Sequence, residues 1–329
     1  MAKKYVYITR KLAPETIEKL REQFEVKMWD SEDQPVPREI LLEEAKSADA
    51  LLTMLTDRVD TELLSKAENL SVVANMAVGF DNVDIDAASE RGIAVCNTPD
   101  VLTDTTADLT FGLLIATARR LVESSEAVKN GEWKSWSPFF FAGHDIHHKT
   151  IGIAGMGKIG EAVAKRAAGF DMEILYHNRS RKPEAESRIG AVYCDFEELL
   201  ERSDFVVSLI PLSNETHRLF NAEAFKRMKE SGIFINASRG AVVDEQALYN
   251  ALVNKDIAGA GLDVFEKEPI SANHPLLTLK NVVALPHIGS SSAETRLAMM
   301  NLCAKNITLI LNGQKPQTLI NKTWISQHS

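Results

Sequence analysis

The sequence predicts an α/β protein with doubly wound parallel sheets. Short apolar runs alternate with longer amphipathic stretches along the whole chain, a pattern that favours parallel sheets covered by helices. The second series of runs opens on a glycine-rich turn between a strand and a helix. The 329 residues suit about two domains, each long enough for its own core.

The first series places strands at Tyr5 to Thr9, Ala50 to Met54, Val72 to Asn75 and Ile93 to Cys96. Helices run between them, such as Pro14 to Gln23, where proline sits near the start and Ile17 and Leu20 share a face. The second series begins at Lys149. Its strands are Ile151 to Ala154, Ile174 to Tyr176, Phe205 to Ile210, Ile233 to Asn236, Ala260 to Phe265 and Val282 to Leu285. Six strands suit a doubly wound sheet. A connector from Val101 to His148 carries an apolar helix, Ala107 to Ala118, and an aromatic stretch from Glu132 to Phe141 that suits a core, a hinge or a subunit contact. On this division alone the domain boundary lies near His148.

With 45% apolar and 25% charged residues, the composition is that of a globular chain rather than a disordered or fibrous one. The 37 basic residues against 46 acidic ones leave a net charge of −9, which argues against nucleic acid or an anionic membrane as the main partner. The amino terminus lacks a signal-like apolar stretch, and the run from Leu109 to Ala118 is far shorter than the ~20 residues that span a bilayer, so a cytoplasmic protein is expected. Cys96, Cys194 and Cys303 lie far apart without a CxxC, which indicates neither a disulfide framework nor a zinc knuckle.

The strand Ile151 to Ala154 runs into Gly155-Met156-Gly157-Lys158-Ile159-Gly160 and then the helix Glu161 to Ala168. In this context GxGxxG binds a dinucleotide: Gly155 makes the tight turn, Gly157 lets the backbone approach the pyrophosphate, and Gly160 lets helix pack on strand. The free N–H groups of the helix then face the phosphates. The next strand ends in His177-Asn178-Arg179-Ser180-Arg181-Lys182, with Arg179 19 residues after Gly160. An NAD site usually places an acid there for the ribose 2′-OH, whereas Arg suits the 2′-phosphate of NADP. Asn178 to Ser180 hold no acid, so the turn leans toward NADP(H), with NAD(H) the other cofactor open to the fold.

Three polar residues of one chemical set follow strand ends: Arg239 after Asn236, Glu268 after Phe265, and His287 after Leu285-Pro286. In parallel strands these ends share an edge with the glycine loop, where ligands sit. Hydride transfer to a ketone leaves an alkoxide to be protonated, and His287 fits that acid. A carboxylate on its other ring nitrogen fixes the tautomer and favours the imidazolium, which suits Glu268. Arg239 suits a bidentate hold on a substrate carboxylate and polarises the ketone beside it.

These motifs closely resemble the D-isomer-specific 2-hydroxyacid dehydrogenase family over nearly the whole chain. GMGKIG at Gly155 to Gly160, NASRG at Asn236 to Gly240, GLDVFEKEP at Gly261 to Pro269 and NHPLLTLKNVVALPHIGS at Asn273 to Ser290 carry the likeness. Within the family the chain is most similar to the glyoxylate/hydroxypyruvate reductases, including the branch that also reduces 2-ketogluconate. The Asn178-Arg179-Ser180 turn and the Trp133, Trp136, Pro138 spacing carry that narrower similarity.

The resemblance implies a Rossmann-type cofactor domain at 102–292, a flavodoxin-like α/β substrate domain at 1–101 with 293–329, and a cleft between them. It implies an NADPH-preferring reduction of small 2-keto acids: glyoxylate to glycolate, hydroxypyruvate to D-glycerate, and 2-ketogluconate. Arg239 is then the substrate-binding arginine, Glu268 the partner that orients His287, and His287 the acid/base. Val78 and Gly79 match the loop whose backbone amides receive the substrate carboxylate, and Thr106, Pro211, Ala237, Asp263 and Gly289 match positions lining the cofactor. The resemblance also implies a homodimer built around the cofactor domains and the connector arm, with Trp136 reaching the neighbouring subunit's active site. His144, Asp145, His147 and His148 depart from the family pattern, but the chemistry needs no metal and none is expected there. Two other readings keep the fold: a dehydrogenase of 3-phosphoglycerate or D-lactate, and a dinucleotide-sensing scaffold of the corepressor kind. The first would want a basic phosphate pocket, for which Arg58 alone is thin support.

Overall fold

The computed structural model describes residues 3–322 and 324; residues 1, 2, 323 and 325–329, which belong to the expected substrate domain, lie outside the described residues. The chain packs as two compact units, Met1–Leu102 with Ser291–Ser329, and Thr103–Ser290.

Strands and helices alternate through the first unit: β1 (Tyr5–Ile8), α1 (Pro14–Arg21), β2 (Glu25–Met28), α2 (Arg38–Ala45), β3 (Ala50–Thr53), α3 (Thr61–Lys66), β4 (Val72–Asn75), α4 (Ile85–Glu90) and β5 (Ala94–Cys96). The strands lie in the order β2-β1-β3-β4-β5, all parallel, which is the flavodoxin-like order. Tyr7, Leu51, Val73 and Val95 form one register row. The two-residue period of a strand sends all four to one face, where they are buried with Leu41, Leu63, Leu64 and Ala88 of α2, α3 and α4. Each such Leu or Val side chain contributes about 1.5–3 kcal/mol by leaving water. Asp60 and Asp84 accept from the Leu63 and Ala87 N–H groups and so start α3 and α4, each cap adding about 1 kcal/mol. The sequence reading omits β2. Its residues, Glu-Val-Lys-Met, alternate between exposed and half-buried at the sheet edge, so they form no apolar run.

The second unit opens with α5 (Thr103–Ala118) and α6 (Leu121–Lys129), separated at Arg120, whose φ of +53° breaks the helix. There follow β6 (Thr150–Ala154), α7 (Lys158–Ala168), β7 (Glu173–His177), α8 (Pro183–Ile189), β8 (Val192–Tyr193), α9 (Phe196–Arg202), β9 (Phe205–Ser208), α10 (Ala222–Arg227), β10 (Ile233–Asn236), α11 (Glu245–Asn254), β11 (Gly259–Leu262) and β12 (Val282–Ala284). Seven parallel strands, one more than expected, lie in the order β12-β11-β10-β9-β6-β7-β8. The row Tyr176, Ile153, Val207, Ile235 is buried with residues of α5 and α7. The neighbouring row Leu175, Val206, Phe234, Ala260 is buried with α9, α10 and α11. Helices therefore cover both faces, and the chain reverses direction across the sheet between β6 and β9. Such a switch point leaves a crevice at the carboxyl ends of the two strands.

The last helix, α12 (Ala293–Leu311), returns to the first unit and packs on β3, β4, β5 and α1. Ser292 caps it through the Thr295 N–H. The segment beyond it is tied by side chains: Asn321 accepts from the Val95 N–H at 2.9 Å and the Thr318 hydroxyl donates to the Asn97 carbonyl at 2.7 Å. Among the described residues no helix is long and apolar enough to cross a membrane.

Candidate active site

The glycine turn sits at the carboxyl end of β6, on the crevice. Gly155 has φ +103°, and a side chain there would bring its Cβ within 2.7 Å of the Leu209 carbonyl group after β9. Only glycine fits both demands. At Gly157 a Cβ would meet nothing within 4 Å, so this backbone faces open space. Gly157 is also the N-cap of α7 and supplies no side-chain cap, and the N–H end of a helix suits an anion. A backbone open to close approach, in front of an uncapped helix end, fits a pyrophosphate.

Asn178, at the end of β7, braces this turn. Its Oδ1 accepts from the Met156 N–H at 2.7 Å and its Nδ2 donates to the Met156 carbonyl at 3.3 Å. The basic residues that follow separate into two kinds. Arg181 is held by a bidentate pair to Glu186, at 3.0 and 2.6 Å. Arg179 has a side chain 91% exposed and only a 4.0 Å approach to Glu215. Ser180 beside it is exposed, as is Pro211 after β9.

At the end of β10 the Asn236 side chain ties a sharp turn. It accepts from the Ser238 N–H and hydroxyl at 3.1 and 2.9 Å and donates to the Arg239 carbonyl at 3.0 Å. Half-buried Ala237 lies inside that turn. Arg239 leaves it with one guanidinium nitrogen donating to the Ser238 carbonyl at 2.8 Å.

His287 and Glu268 meet at 2.7 Å, Nδ1 to Oε2, while Glu268 Oε1 accepts from the Phe265 N–H at 3.0 Å. Burial works to raise the Glu268 carboxyl, but the hydrogen bond and charge of His287, the Phe265 N–H and the charge of Arg239 together hold it below its ordinary range. An ionised carboxylate only accepts, so Nδ1 carries the shared proton and Nε2 lies outside that bond. His287 has φ +54°, a left-handed conformation uncommon outside glycine and entered most often by asparagine, aspartate and histidine. Asp263 imposes it. Its backbone carbonyl accepts from the His287 N–H at 2.8 Å, and its two carboxylate oxygens accept from the Ile288 and Gly289 N–H groups at 2.7 and 2.8 Å. Burial pushes the Asp263 carboxyl up, against those amides and the His287 charge. Thr106 closes the same spot: a Cβ on Gly289 would stand 3.3 Å from its methyl and 3.2 Å from Asp263.

The second unit thus brings Arg239, Glu268 and His287 together, and Thr106, Asp263 and Gly289 beside them. Val78 and Gly79 belong to the first unit, on the loop that follows β4. Trp136 is 80% exposed, in a segment where Trp133, Phe139 and Phe140 are exposed as well. Among the described residues no cluster of three or more His, Cys, Asp or Glu is placed to hold a metal. The bracing roles of Asn178, Asn236 and Asp263 escaped the sequence reading; a polar residue closing an apolar strand is the signal that marks all three.

Residues 111–289 match the profile of the D-isomer specific 2-hydroxyacid dehydrogenase NAD binding domain. A glyoxylate reductase of Thermococcus kodakarensis is 51% identical over 321 residues, covering 96% of each chain. A glyoxylate reductase of Pyrococcus horikoshii is likewise 51% identical at the same coverage. Among solved structures, an NADPH-dependent glyoxylate/hydroxypyruvate reductase of Sinorhizobium meliloti, in complex with NADP and malonate, superposes with a TM-score of 0.84 at 32% identity over 98% of each chain. The profile, these identities and the sheet orders described above agree, and the chain belongs to the D-isomer specific 2-hydroxyacid dehydrogenase family, as an oxidoreductase that uses a nicotinamide dinucleotide.

Proposed function

We propose that the protein is an NADPH-preferring reductase of small 2-keto acids, acting on glyoxylate, hydroxypyruvate and 2-ketogluconate. The 2.7 Å contact between His287 and Glu268, within the field of Arg239, carries this reading. In this assignment the second unit binds the dinucleotide and the first receives the substrate carboxylate. The bound nicotinamide supplies the hydride. Arg239 holds the carboxylate and polarises the ketone; Glu268 keeps the His287 proton on Nδ1; His287 gives its Nε2 proton to the carbonyl oxygen. The names of the Thermococcus and Pyrococcus relatives support glyoxylate as a substrate. Exposed Arg179, at the end of β7, supports the 2′-phosphate preference, as does the NADPH dependence of the Sinorhizobium relative.

Steady-state rates with NADPH and NADH on glyoxylate, hydroxypyruvate, 2-ketogluconate and pyruvate test the proposal, and no turnover on any of them would overturn it. Arg179→Ala is expected to raise the KM for NADPH about tenfold or more and to leave that for NADH within about twofold, since a guanidinium–phosphate pair is lost only with the phosphorylated cofactor. Equal effects would refute the 2′-phosphate role.

We also infer a homodimer joined through the arm that carries Trp133, Trp136, Phe139 and Phe140. Four large apolar side chains exposed within eight residues form a patch of the kind that marks an interface. Light scattering is expected to give twice the 36.4 kDa chain mass, and Trp136→Ala with Phe139→Ala to shift it toward the single chain.

A further inference from the structure

The loop after β4 has three successive carbonyls held by hydrogen bonds. The Ala77 carbonyl accepts from the Thr98 N–H at 2.8 Å, the Val78 carbonyl from Asn97 Nδ2 at 2.9 Å, and the Gly79 carbonyl from Asn75 Nδ2 at 3.1 Å. In a trans peptide the N–H points opposite to the C=O of the same unit. Gripping these three carbonyls therefore turns the N–H groups of Val78, Gly79 and Phe80 the other way. Among the described residues none of the three finds an acceptor. Successive outward amides make a concave site for an anion.

Asn75 is fully buried, and its amide is used up. Its Oδ1 accepts from the Thr53 hydroxyl at 3.1 Å, while its Nδ2 also donates to Asn82 Oδ1 at 3.1 Å. Asn82 in turn donates to the carbonyls of Met54 and Asp57 at 3.1 and 2.9 Å, anchoring the pair to the turn after β3. Buried polar groups so completely matched define one arrangement, because any other leaves some of them unpaired.

We propose that Asn75, locked by Asn82 and Thr53, is a positioning residue for substrate: it aims the amides of Val78, Gly79 and Phe80 at the carboxylate. The proposal rests on the keto-acid reading above. Asn75→Ala is expected to raise the KM for glyoxylate about tenfold, the value of roughly one hydrogen bond to a charged group. The KM for NADPH should stay unchanged and kcat within about threefold. The preference for glyoxylate over its methyl ester, which lacks the charge, should fall by the same tenfold factor. Asn82→Ala should do the same to a smaller degree. Equal losses on acid and ester, or no loss on the acid, would overturn the proposal.

A titration of the wild-type chain with oxalate, followed through the backbone amide resonances of Val78, Gly79 and Phe80, tests the cradle even if neither variant folds. All three resonances should move, and if none moves the idea fails. A wild-type chain inert toward keto acids would sink the functional reading alone, since oxalate binding needs only the cradle.

Discussion

His287→Asn is expected to lower kcat/KM for keto-acid reduction by about 10²–10⁴-fold, the usual share of a general acid, with the KM for the dinucleotide nearly unchanged. Asparagine is the substitution of choice because residue 287 sits at φ +54°, a region asparagine enters readily and a β-branched residue does not. The Asp263 grip on the 287–289 backbone can then persist, so the loss reports the ring and not the loop. Glu268→Gln should give a different signature. The glutamine oxygen can still accept from Phe265, which leaves its NH₂ facing His287 Nδ1 and forces the tautomer that lacks a proton there. The charge of His287 helps hold the Glu268 carboxyl down, a coupling that a neutral glutamine cannot return, so the alkaline limb of the reduction profile should move to lower pH. Profiles of kcat/KM against pH for the two variants check this. A Glu268→Gln profile superimposable on wild type would refute the orienting role, and a His287→Asn variant of full activity would refute the acid.

Most of what made these residues visible in sequence was their place at the ends of apolar strands. The runs at Val72 to Asn75 and Ile233 to Asn236 have the bounds of β4 and β10, because central parallel strands are buried on both faces and read as unbroken apolar segments. Edge elements lack that signal. β2 alternates polar and apolar residues, β8 has two residues, and α6 begins only after the left-handed Arg120. The site divides along the same line. Arg239, Glu268 and His287 were legible because their residue types suit one reaction. The grips on the backbone were not, since Asp263 meets Gly289 across 26 residues and Asn178 meets Met156 across 22, joined only by the order of strands. Chemistry written in residue types can be read along a chain, whereas bracing depends on which strand lies beside which.

Gly240→Ala is expected to disable the enzyme through geometry alone. A Cβ on Gly240 would lie 1.8 Å from the carbonyl carbon of Phe265, 2.0 Å from its oxygen and 2.2 Å from the Glu266 nitrogen. These are backbone atoms, so no side-chain rotation relieves the clash and the chain after β11 must move. Such overpacking costs about 1–3 kcal/mol or more, a fall of about 2–4 °C in melting temperature for each kcal/mol in a unit of this size. The effect on activity should be larger than the effect on stability. Gly240 follows Arg239 directly, and the Phe265 N–H is what holds Glu268 in line with His287. One methyl group thus displaces Arg239 and Glu268 together, and a misplacement of about 1 Å can cost 10²-fold in rate. Gly157→Ala is the matched control, because its Cβ would enter open space. It should melt like wild type and raise only the KM for the dinucleotide, since the added methyl stands where the pyrophosphate must approach. Melting curves and steady-state kinetics on the two variants separate the cases. Gly240→Ala with wild-type melting and wild-type kcat/KM would show that the backbone contact between the turn after β10 and the turn after β11 does not set the site.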